Sequence, residues 1–296
     1  MITDKIGIIP NEKKDPRFEN TKNLMKFLSG KNTDICIGEN YRRHFSGFAV
    51  TYAPEDELYK ACGLLFVLGG DGTMLKAAAK ASEGDIPLIG INLGRIGFMS
   101  EIECDELYLL ENLFSGEYEI KSRMMLDVGI IKAGGRIDAG TALNDAVVSK
   151  GALAKLVEIE LARDGTKIAG YMADGVIAAT PTGSTAYSMS AGGPIIDPEI
   201  ECFCVTPICP HSLTVNRPLI FAGDSRLEIT NRNISSDAYL AIDGQTPVKL
   251  EENDIVSIKK SKFAAKLVSI KKRGFFDVVR AKFACERNDI TKNRET

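Results

Sequence analysis

The sequence predicts a two-part fold, an α/β domain followed by a mostly β domain. Over roughly the first 120 residues, short apolar runs alternate with helix-like stretches. From about Lys121 onward, short β-branched segments alternate with turn residues. A chain of 296 residues is long enough for about two domains, each with a core of its own.

The first part begins with a strand expected at residues 6–9 and a helix expected at residues 15–29. The apolar run at residues 64–68 is too short for a helix core and predicts a buried strand. A helix is expected next at residues 73–82, and another strand at residues 87–92. Strands that are apolar on both faces and alternate with helices indicate a parallel sheet covered on both sides.

The second part contains strands separated by turn residues. Strands are expected at residues 127–131, 141–149, 156–163, 167–173, 176–180, 226–230, 239–242 and 254–259. Gly134–Gly135 and Asp164–Gly165 separate pairs of these strands as hairpin turns. One helix is expected at residues 183–191, opened by Pro181 and Thr182.

A helical period returns near the end of the sequence, at residues 275–283, and we expect this tail to pack back on the first domain. The expected α/β domain therefore covers residues 1–120 together with the tail at 271–296. The expected β-rich domain covers residues 121–270.

Composition argues against several classes of partner. The chain carries 37 Lys and Arg against 40 Asp and Glu, a formal net charge of −3, so neither nucleic acid nor an anionic membrane is expected as a partner. Asp4 and Lys5 stand where a signal peptide needs an apolar core, and seven scattered cysteines suit reduced thiols better than disulfides. We therefore expect a cytoplasmic protein.

The strongest local signal is the pentad Gly69–Thr73, which ends a predicted buried strand and opens a helix. Glycines let a backbone approach a phosphate closely, and the free N–H groups of a helix N-terminus attract an anion. Asp71 would repel phosphate unless it binds a metal ion or accepts a proton from a hydroxyl that is about to be phosphorylated. The alternative is a tight turn in which Asp71 caps the helix.

A second signal is the segment 174–194, in which a strand ends, Pro181 fixes a turn and small hydroxyl residues open a helix. Small residues leave room for a planar ring, hydroxyls can hydrogen-bond its edge, and Tyr187 can offer a face or a hydroxyl. The alternative is a structural loop rich in Gly, Ser and Thr. Asn144–Asp145, two polar residues within an apolar strand, either belong to a site or tie down a turn.

Taken in order, several segments resemble the NAD kinase family over essentially the whole chain. The pentad alone is shared with diacylglycerol-type lipid kinases, whereas the segment 174–194 is far more specific. The segments that carry the resemblance are Gly69–Thr73, 90–98, Asn144–Asp145, 174–194, 209–213, 216–218, 243–245 and 275–277.

This resemblance implies a Rossmann-like N-terminal domain, a C-terminal β-sandwich and NAD bound in the cleft between them. It also implies the reaction, transfer of the terminal phosphoryl group of ATP to the 2′-hydroxyl of the adenosine ribose of NAD, which gives NADP. Mg²⁺ or another divalent ion is expected to accompany ATP without dedicated protein ligands. A homo-oligomer, either a dimer or a tetramer, is expected as well.

The resemblance also implies residue roles. Asp71 would be the base, with Gly72 beside it and Lys76 near phosphate, on a phosphate loop made of Gly69, Gly70, Asp71, Gly72 and Thr73. Asn144 and Asp145 would hold the ribose and adenine end, and Asp174 would meet the nicotinamide portion, with Lys155 and Gln245 as weaker candidates nearby. The adenine pocket would consist of Thr182, Thr185, Ala186, Tyr187 and Ser190.

Two positions depart from the family pattern. Members often carry Asn-Glu where this chain has Asn144–Asp145, and often Arg where this chain has Met172. The shorter carboxylate changes the reach of Asp145, and a cationic contact at position 172 is absent.

Three other interpretations compete with this one. A lipid kinase would share the pentad but needs a channel for an acyl chain, and a nucleotide-sensing module would bind NAD without turnover. A zinc site is the third, but the spacing of its potential ligands matches no common zinc motif and favours buried thiols. Those potential ligands are Cys202, Cys204, Cys209 and His211.

Overall fold

A computed structural model describes residues 4–94, 97–151, 155–211, 216–232 and 237–292. The strands are β1 (Lys5–Ile9), β2 (Asp34–Gly38), β3 (Thr51–Ala53), β4 (Leu64–Gly69), β5 (Leu88–Asn92), β6 (Ile102–Glu103), β7 (Glu119–Lys132), β8 (Gly135–Ala142), β9 (Asp145–Lys150), β10 (Val157–Arg163), β11 (Thr166–Ala173), β12 (Gly175–Ala179), β13 (Cys202–Ile208), β14 (Leu219–Ala222), β15 (Leu227–Asn231), β16 (Ala238–Ile242), β17 (Val248–Leu250) and β18 (Ile255–Ser269). The α-helices are α1 (Glu19–Ser29), α2 (Arg42–Phe45), α3 (Glu55–Ala61), α4 (Asp71–Glu83), α5 (Glu111–Phe114), α6 (Tyr187–Ser190) and α7 (Phe275–Lys292).

The chain forms two compact units. Unit 1 comprises Met1–Ser122 with Ala265–Thr296, and unit 2 comprises Arg123–Ala264. Residues 265–270, which the sequence assigns to the second domain, lie in unit 1, because the end of β18 joins the sheet of that unit, with Leu267 opposite Leu88.

Unit 1 is built on a parallel sheet in the order β6-β5-β4-β1-β2-β3. Every residue of β4 and β5 is buried, so both faces of the sheet centre are covered. The expected α/β fold is therefore confirmed. Strands β2 and β3 and helix α3 were not predicted from the sequence, because they are short segments with weak periodicity.

Helix α1 begins at Glu19 rather than at Asp15 as the sequence suggests. The Asp15 carboxylate accepts hydrogen bonds from the Asn20 N–H at 3.3 Å and from the Thr21 N–H at 2.9 Å. Phe18, in the left-handed region at φ 55°, separates the turn that contains Asp15 from the helix that begins at Glu19. Asp15 thus satisfies free N–H groups of the first turn from outside the helix.

Unit 2 is a sandwich of antiparallel sheets, as the resemblance implies. One sheet has the order β14-β13-β12-β9-β16-β17, and the other contains β11-β10-β15-β18 and the hairpin β7-β8. Its core takes residues from both sheets, among them the fully buried Tyr171 and Phe203.

Some local expectations for unit 2 are wrong. The strand expected at residues 141–149 is interrupted, because β8 ends at Ala142 and β9 begins at Asp145. The helix expected at residues 183–191 is split at Ala186, whose ψ of −127° is not helical, into a 3₁₀ turn at Thr182–Thr185 and the short α6. Strands β13, β14 and β17 were missed.

The hairpin turns and the tail follow the expectations more closely. Asp164 and Gly165 have φ values of 50° and 78° and join β10 to β11 as a two-residue turn. The first hairpin turn lies one residue earlier than expected, since Gly135 already pairs with Lys132. Helix α7 belongs to unit 1, as expected of the tail, and the Phe275 ring lies 6.3 Å from that of Phe98.

Within the described residues, no helix combines the length and the apolar character needed to cross a membrane.

Candidate active site

In unit 1, the predicted phosphate loop joins the end of β4 to the start of α4. A Cβ on Gly69 would lie 2.4 Å from the Thr73 hydroxyl oxygen, so only glycine allows this close approach. Nothing lies within 4 Å of a Cβ built on Gly72, which leaves the first turn of the helix open on that side. The loop therefore presents backbone at a helix N-terminus, the geometry that suits a phosphate.

Asp71 is the first residue of α4, but its carboxylate does not cap that helix. Its Oδ2 accepts the Phe98 N–H at 3.1 Å, and its Oδ1 accepts the Met99 N–H at 3.2 Å. A Cβ on Gly97 would lie 2.2 Å from Asp71 Oδ1, so the neighbouring loop needs glycine there. The half-buried carboxylate is thus held in one orientation while its remaining lone pairs stay available to a substrate hydroxyl.

One lysine lies close to this loop. Lys14 was missed by the sequence analysis, and its Nζ would lie 2.6 Å from a Cβ on Gly70 and 3.5 Å from a Cβ on Gly94. The loop that carries Lys14 is tied to the pentad, because the Asn11 side-chain amide donates to the Thr73 hydroxyl at 2.8 Å. The predicted Lys76 is exposed, further along α4.

In unit 2, the interruption between β8 and β9 contains Asn144, and Asp145 begins β9, both of them buried. The carboxylate of Asp243 accepts the N–H groups of Leu143 at 2.8 Å, Asn144 at 2.8 Å and Asp145 at 3.0 Å. The polar pair therefore does sit in a turn, and that turn is organised by a residue from the end of β16.

A second anchor holds the same turn from the end of β12. The Thr180 N–H donates to the Asn144 carbonyl at 2.8 Å, and the Thr180 hydroxyl donates to the Leu143 carbonyl at 2.6 Å. The Gly183 N–H donates to that hydroxyl at 3.0 Å, and a Cβ on Gly183 would lie 2.0 Å from the Asn144 carbonyl oxygen. The Asn144–Asp145 turn thus lies directly against the start of the segment predicted to bind a base.

Residues of that segment divide between structural and open positions. Ser184 and Ser188 are fully buried, and their hydroxyls bond to Pro181 and Thr206, so they hold the backbone in place. Thr185 is also buried, and its hydroxyl donates to the Thr182 carbonyl at 3.2 Å. The four other predicted pocket residues are at least partly accessible: Thr182, Ala186, Tyr187 and Ser190.

Asp174 lies away from this group. It precedes β12 and Thr180 follows it, so the two stand about 20 Å apart along an extended strand. The Asp174 carboxylate pairs instead with Lys150 at 2.6 Å, a partner that the sequence analysis did not name.

The remaining predicted positions are exposed. Gln245 follows Asp243 in a turn in which the Gln245 N–H donates to the Ile242 carbonyl at 2.9 Å. Lys155 is exposed shortly before β10. Met172, where the family often has Arg, is 46 % exposed on β11.

The alternative metal ligands do not form a site. Cys202 and Cys204 are buried, which raises the pKa of both thiols, whereas Cys209 and His211 are exposed. Across the described part of the chain, no three His, Cys, Asp or Glu side chains are grouped so that they could hold a metal ion.

The pKa of the Asp145 carboxyl is shifted upward. Burial, and to a smaller extent the charge of Asp243, raise the pKa of Asp145 from 3.8 to about 7. Burial also raises the pKa of Asp243, but the three N–H groups that it accepts oppose this. We therefore infer that Asp243 carries the charge of the pair near neutral pH and that Asp145 titrates there.

We expect Asp145→Asn to change how stability depends on pH in the ligand-free protein. Because the pKa is raised on folding, the stability linked to the protonated carboxyl is present below about pH 4 and is lost as the pH rises through about 7. This loss amounts to at most about 4 kcal/mol. Urea denaturation should therefore show the free energy of unfolding of the variant rising relative to that of the wild type between about pH 4 and about pH 7. Asp138→Asn, an exposed acid of the same unit, should show no such gain, and parallel curves for Asp145→Asn would contradict the assignment.

Comparison with known proteins identifies the family of this chain. Residues 6–118 match the model of the ATP-NAD kinase N-terminal domain, and residues 143–270 match that of the ATP-NAD kinase C-terminal domain. The chain is 37% identical over 271 residues to the NAD kinase of Geotalea daltonii, covering 90% of this chain and 94% of that protein. It is 39% identical over 270 residues to the NAD kinase of Geobacter sulfurreducens, with the same coverage.

Solved structures are similar in fold. Yeast NADH kinase complexed with NADH has a TM-score of 0.85 at 25% identity, covering 94% of this chain and 86% of that one. An NAD kinase from Archaeoglobus fulgidus in complex with ATP has a TM-score of 0.71 at 24% identity, covering 94% and 97%. The chain therefore belongs to the NAD kinase family, the phosphotransferases that use ATP to phosphorylate NAD.

Proposed function

We propose that unit 2 binds the adenosine end of NAD and that Asp71 of unit 1 is the catalytic base. The observation that carries this proposal is the turn at Asn144–Asp145, which is held directly against the Thr182–Ser190 segment. Asn144 and Asp145 would take the ribose and adenine end. The adenine pocket would be formed by Thr182, Thr185, Ala186, Tyr187 and Ser190.

In the proposed reaction, Asp71 accepts the proton of the ribose 2′-hydroxyl. The 2′-oxygen then bonds to the terminal phosphorus of ATP as the bond to the leaving oxygen of ADP breaks, in line. The bonds from Phe98 and Met99 orient the carboxylate before substrate arrives. This step needs positioning and charge stabilisation and no covalent intermediate on the protein.

The donor triphosphate would be bound by Gly69, Gly70, Gly72 and Thr73 at the start of α4, with Lys14 and Lys76 as the nearby cations. We propose that Mg²⁺ or another divalent ion enters with ATP as part of that substrate, since Mg²⁺ is commonly bound through substrate phosphates.

We propose that three further residues of unit 2 serve the rest of the dinucleotide. Asp174 stands about 20 Å along β12 from Thr180, so its contact with the nicotinamide portion requires an extended dinucleotide. Gln245 lies in the turn that follows Asp243 and could reach the same ligand. Lys155 is exposed shortly before β10 and would supply a cation to an anionic group of the dinucleotide.

Asn144→Ala tests the binding assignment. The variant should weaken NAD binding by roughly tenfold, because it removes a buried polar group that we assign to the nucleotide, while the KM for ATP stays unchanged. Isothermal titration with NAD and steady-state kinetics in ATP provide the two readouts. Asn112→Ala in α5 is the control, and equal NAD affinity for the two variants would refute the assignment.

We also propose a cytoplasmic homo-oligomer, a dimer or a tetramer. The scattered cysteines suit a reducing compartment, and the six that the structure describes are free thiols. Analytical ultracentrifugation would measure the oligomer, and a monomer at micromolar concentration would contradict it.

A further inference from the structure

Asp243 is distant in sequence from the Asn144–Asp145 turn but makes four hydrogen bonds to its main chain. Besides accepting three N–H groups from residues 143–145, it donates its own N–H to the Asp145 carbonyl at 3.0 Å. One residue at the end of β16 thus fixes three consecutive peptide units near the start of β9.

We propose that Asp243 is a positioning residue for the nucleotide: it fixes the main chain of residues 143–145, so that the Asn144 and Asp145 side chains meet NAD in one orientation. This inference rests on the proposed function, which assigns those two side chains to NAD. Asp243 itself is given no contact with the reacting atoms.

The chemistry of the contact requires a carboxylate. Both oxygens accept, one from Leu143 and the other from Asn144 and Asp145. An asparagine has one accepting oxygen and one NH₂ group, so at least one of these N–H groups would face another donor.

Asparagine can replace Asp243 without straining the backbone at this position. Asp243 has a φ of 47°, in the left-handed region that Asn adopts about as readily as Asp. Thr180 continues to hold Leu143 and Asn144 from the other side. Asp243→Asn should therefore loosen the turn without displacing the backbone of β16.

The experiment compares the KM for NAD with the KM for ATP in Asp243→Asn. We expect the KM for NAD to rise by about tenfold or more, the scale of a lost hydrogen bond to a charged group, and the KM for ATP to stay at the wild-type value. Asp164→Asn is the matched control, since Asp164 also precedes a glycine, has a φ of 50° and accepts one backbone N–H, from Arg226 at 2.9 Å. The control should leave both constants unchanged.

The outcomes separate this inference from the proposed function. If Asn144→Ala weakens NAD binding but Asp243→Asn does not, the positioning role is wrong and the site stands. If neither variant affects NAD, the proposed site fails. An equal rise in both KM values, or a lower melting temperature with normal kinetics, would show a merely structural role and overturn the inference.

A measurement on the wild type avoids dependence on how well the variant folds. In the ligand-free protein, the amides of residues 143–145 should be protected from hydrogen exchange, because Asp243 accepts all three. Exchange of these amides at the rates of an open loop would overturn the proposal.

Discussion

Replacing Asp71 with asparagine is expected to lower turnover by roughly 100- to 10,000-fold, the usual contribution of a general base. NAD affinity should stay near that of the wild type, because the groups proposed to bind the adenosine end lie in unit 2. The measurement pairs single-turnover kinetics, at saturating NAD and MgATP, with calorimetric titration of NAD.

The control for Asp71→Asn is Asp85→Asn. Asp85 is an acid of the same unit, and its φ of 57° suits asparagine. An Asn at position 71 also loses one of the bonds from Phe98 and Met99, so the melting temperatures of both variants must be recorded. Turnover close to wild type in a folded Asp71→Asn protein would remove Asp71 from the role of base.

Gly183→Ala is expected to have the largest effect on NAD binding among the glycine changes. The new methyl group would lie 2.0 Å from the Asn144 carbonyl oxygen and 2.4 Å from the Asn144 carbonyl carbon, both of them backbone atoms. Relieving this overlap must separate the 3₁₀ turn from the Asn144–Asp145 turn, at a cost of about 1–3 kcal/mol or more of folding stability. NAD binding should be lost in the fraction that folds.

Gly170→Ala is the control for this change, because a Cβ at position 170 meets no atom within 4 Å. Urea denaturation gives the free energy of unfolding of both variants, and calorimetry gives their NAD affinity. A Gly183→Ala protein that is as stable as Gly170→Ala and binds NAD as well would contradict the proposed contact between the two turns.

The pentad could be predicted because its signal is local. A run of buried residues, two glycines and a helix start are adjacent in the chain, and the structure places β4, the loop and α4 in that order. What the sequence could not show is the partner of Asp71. The Asp71 carboxylate accepts hydrogen bonds from the backbone N–H groups of Phe98 and Met99. Because every residue type except proline has such a group, no side-chain pattern in the sequence reveals this contact.

The site residues that the sequence did not reveal, Asp243 and Lys14, also act on main-chain positions that are distant in the sequence. Asp243 acts on backbone N–H groups about a hundred positions earlier, and Lys14 approaches the glycines at positions 70 and 94 from the loop after β1. The split of the expected helix at Ala186 has a similar origin, since tertiary bonds of Ser184 and Ser188 override a local helical pattern. Sequence patterns report the element that a residue belongs to, whereas these contacts depend on how the elements pack.

The most direct test of the account is product analysis of the wild-type protein with NAD and MgATP, alongside diacylglycerol as an alternative acceptor. We expect NADP, phosphorylated on the 2′-hydroxyl of the adenosine ribose, to form in equal amount with ADP, and the lipid to remain unphosphorylated. Binding of NAD without formation of NADP, or phosphorylation of the lipid alone, would contradict it.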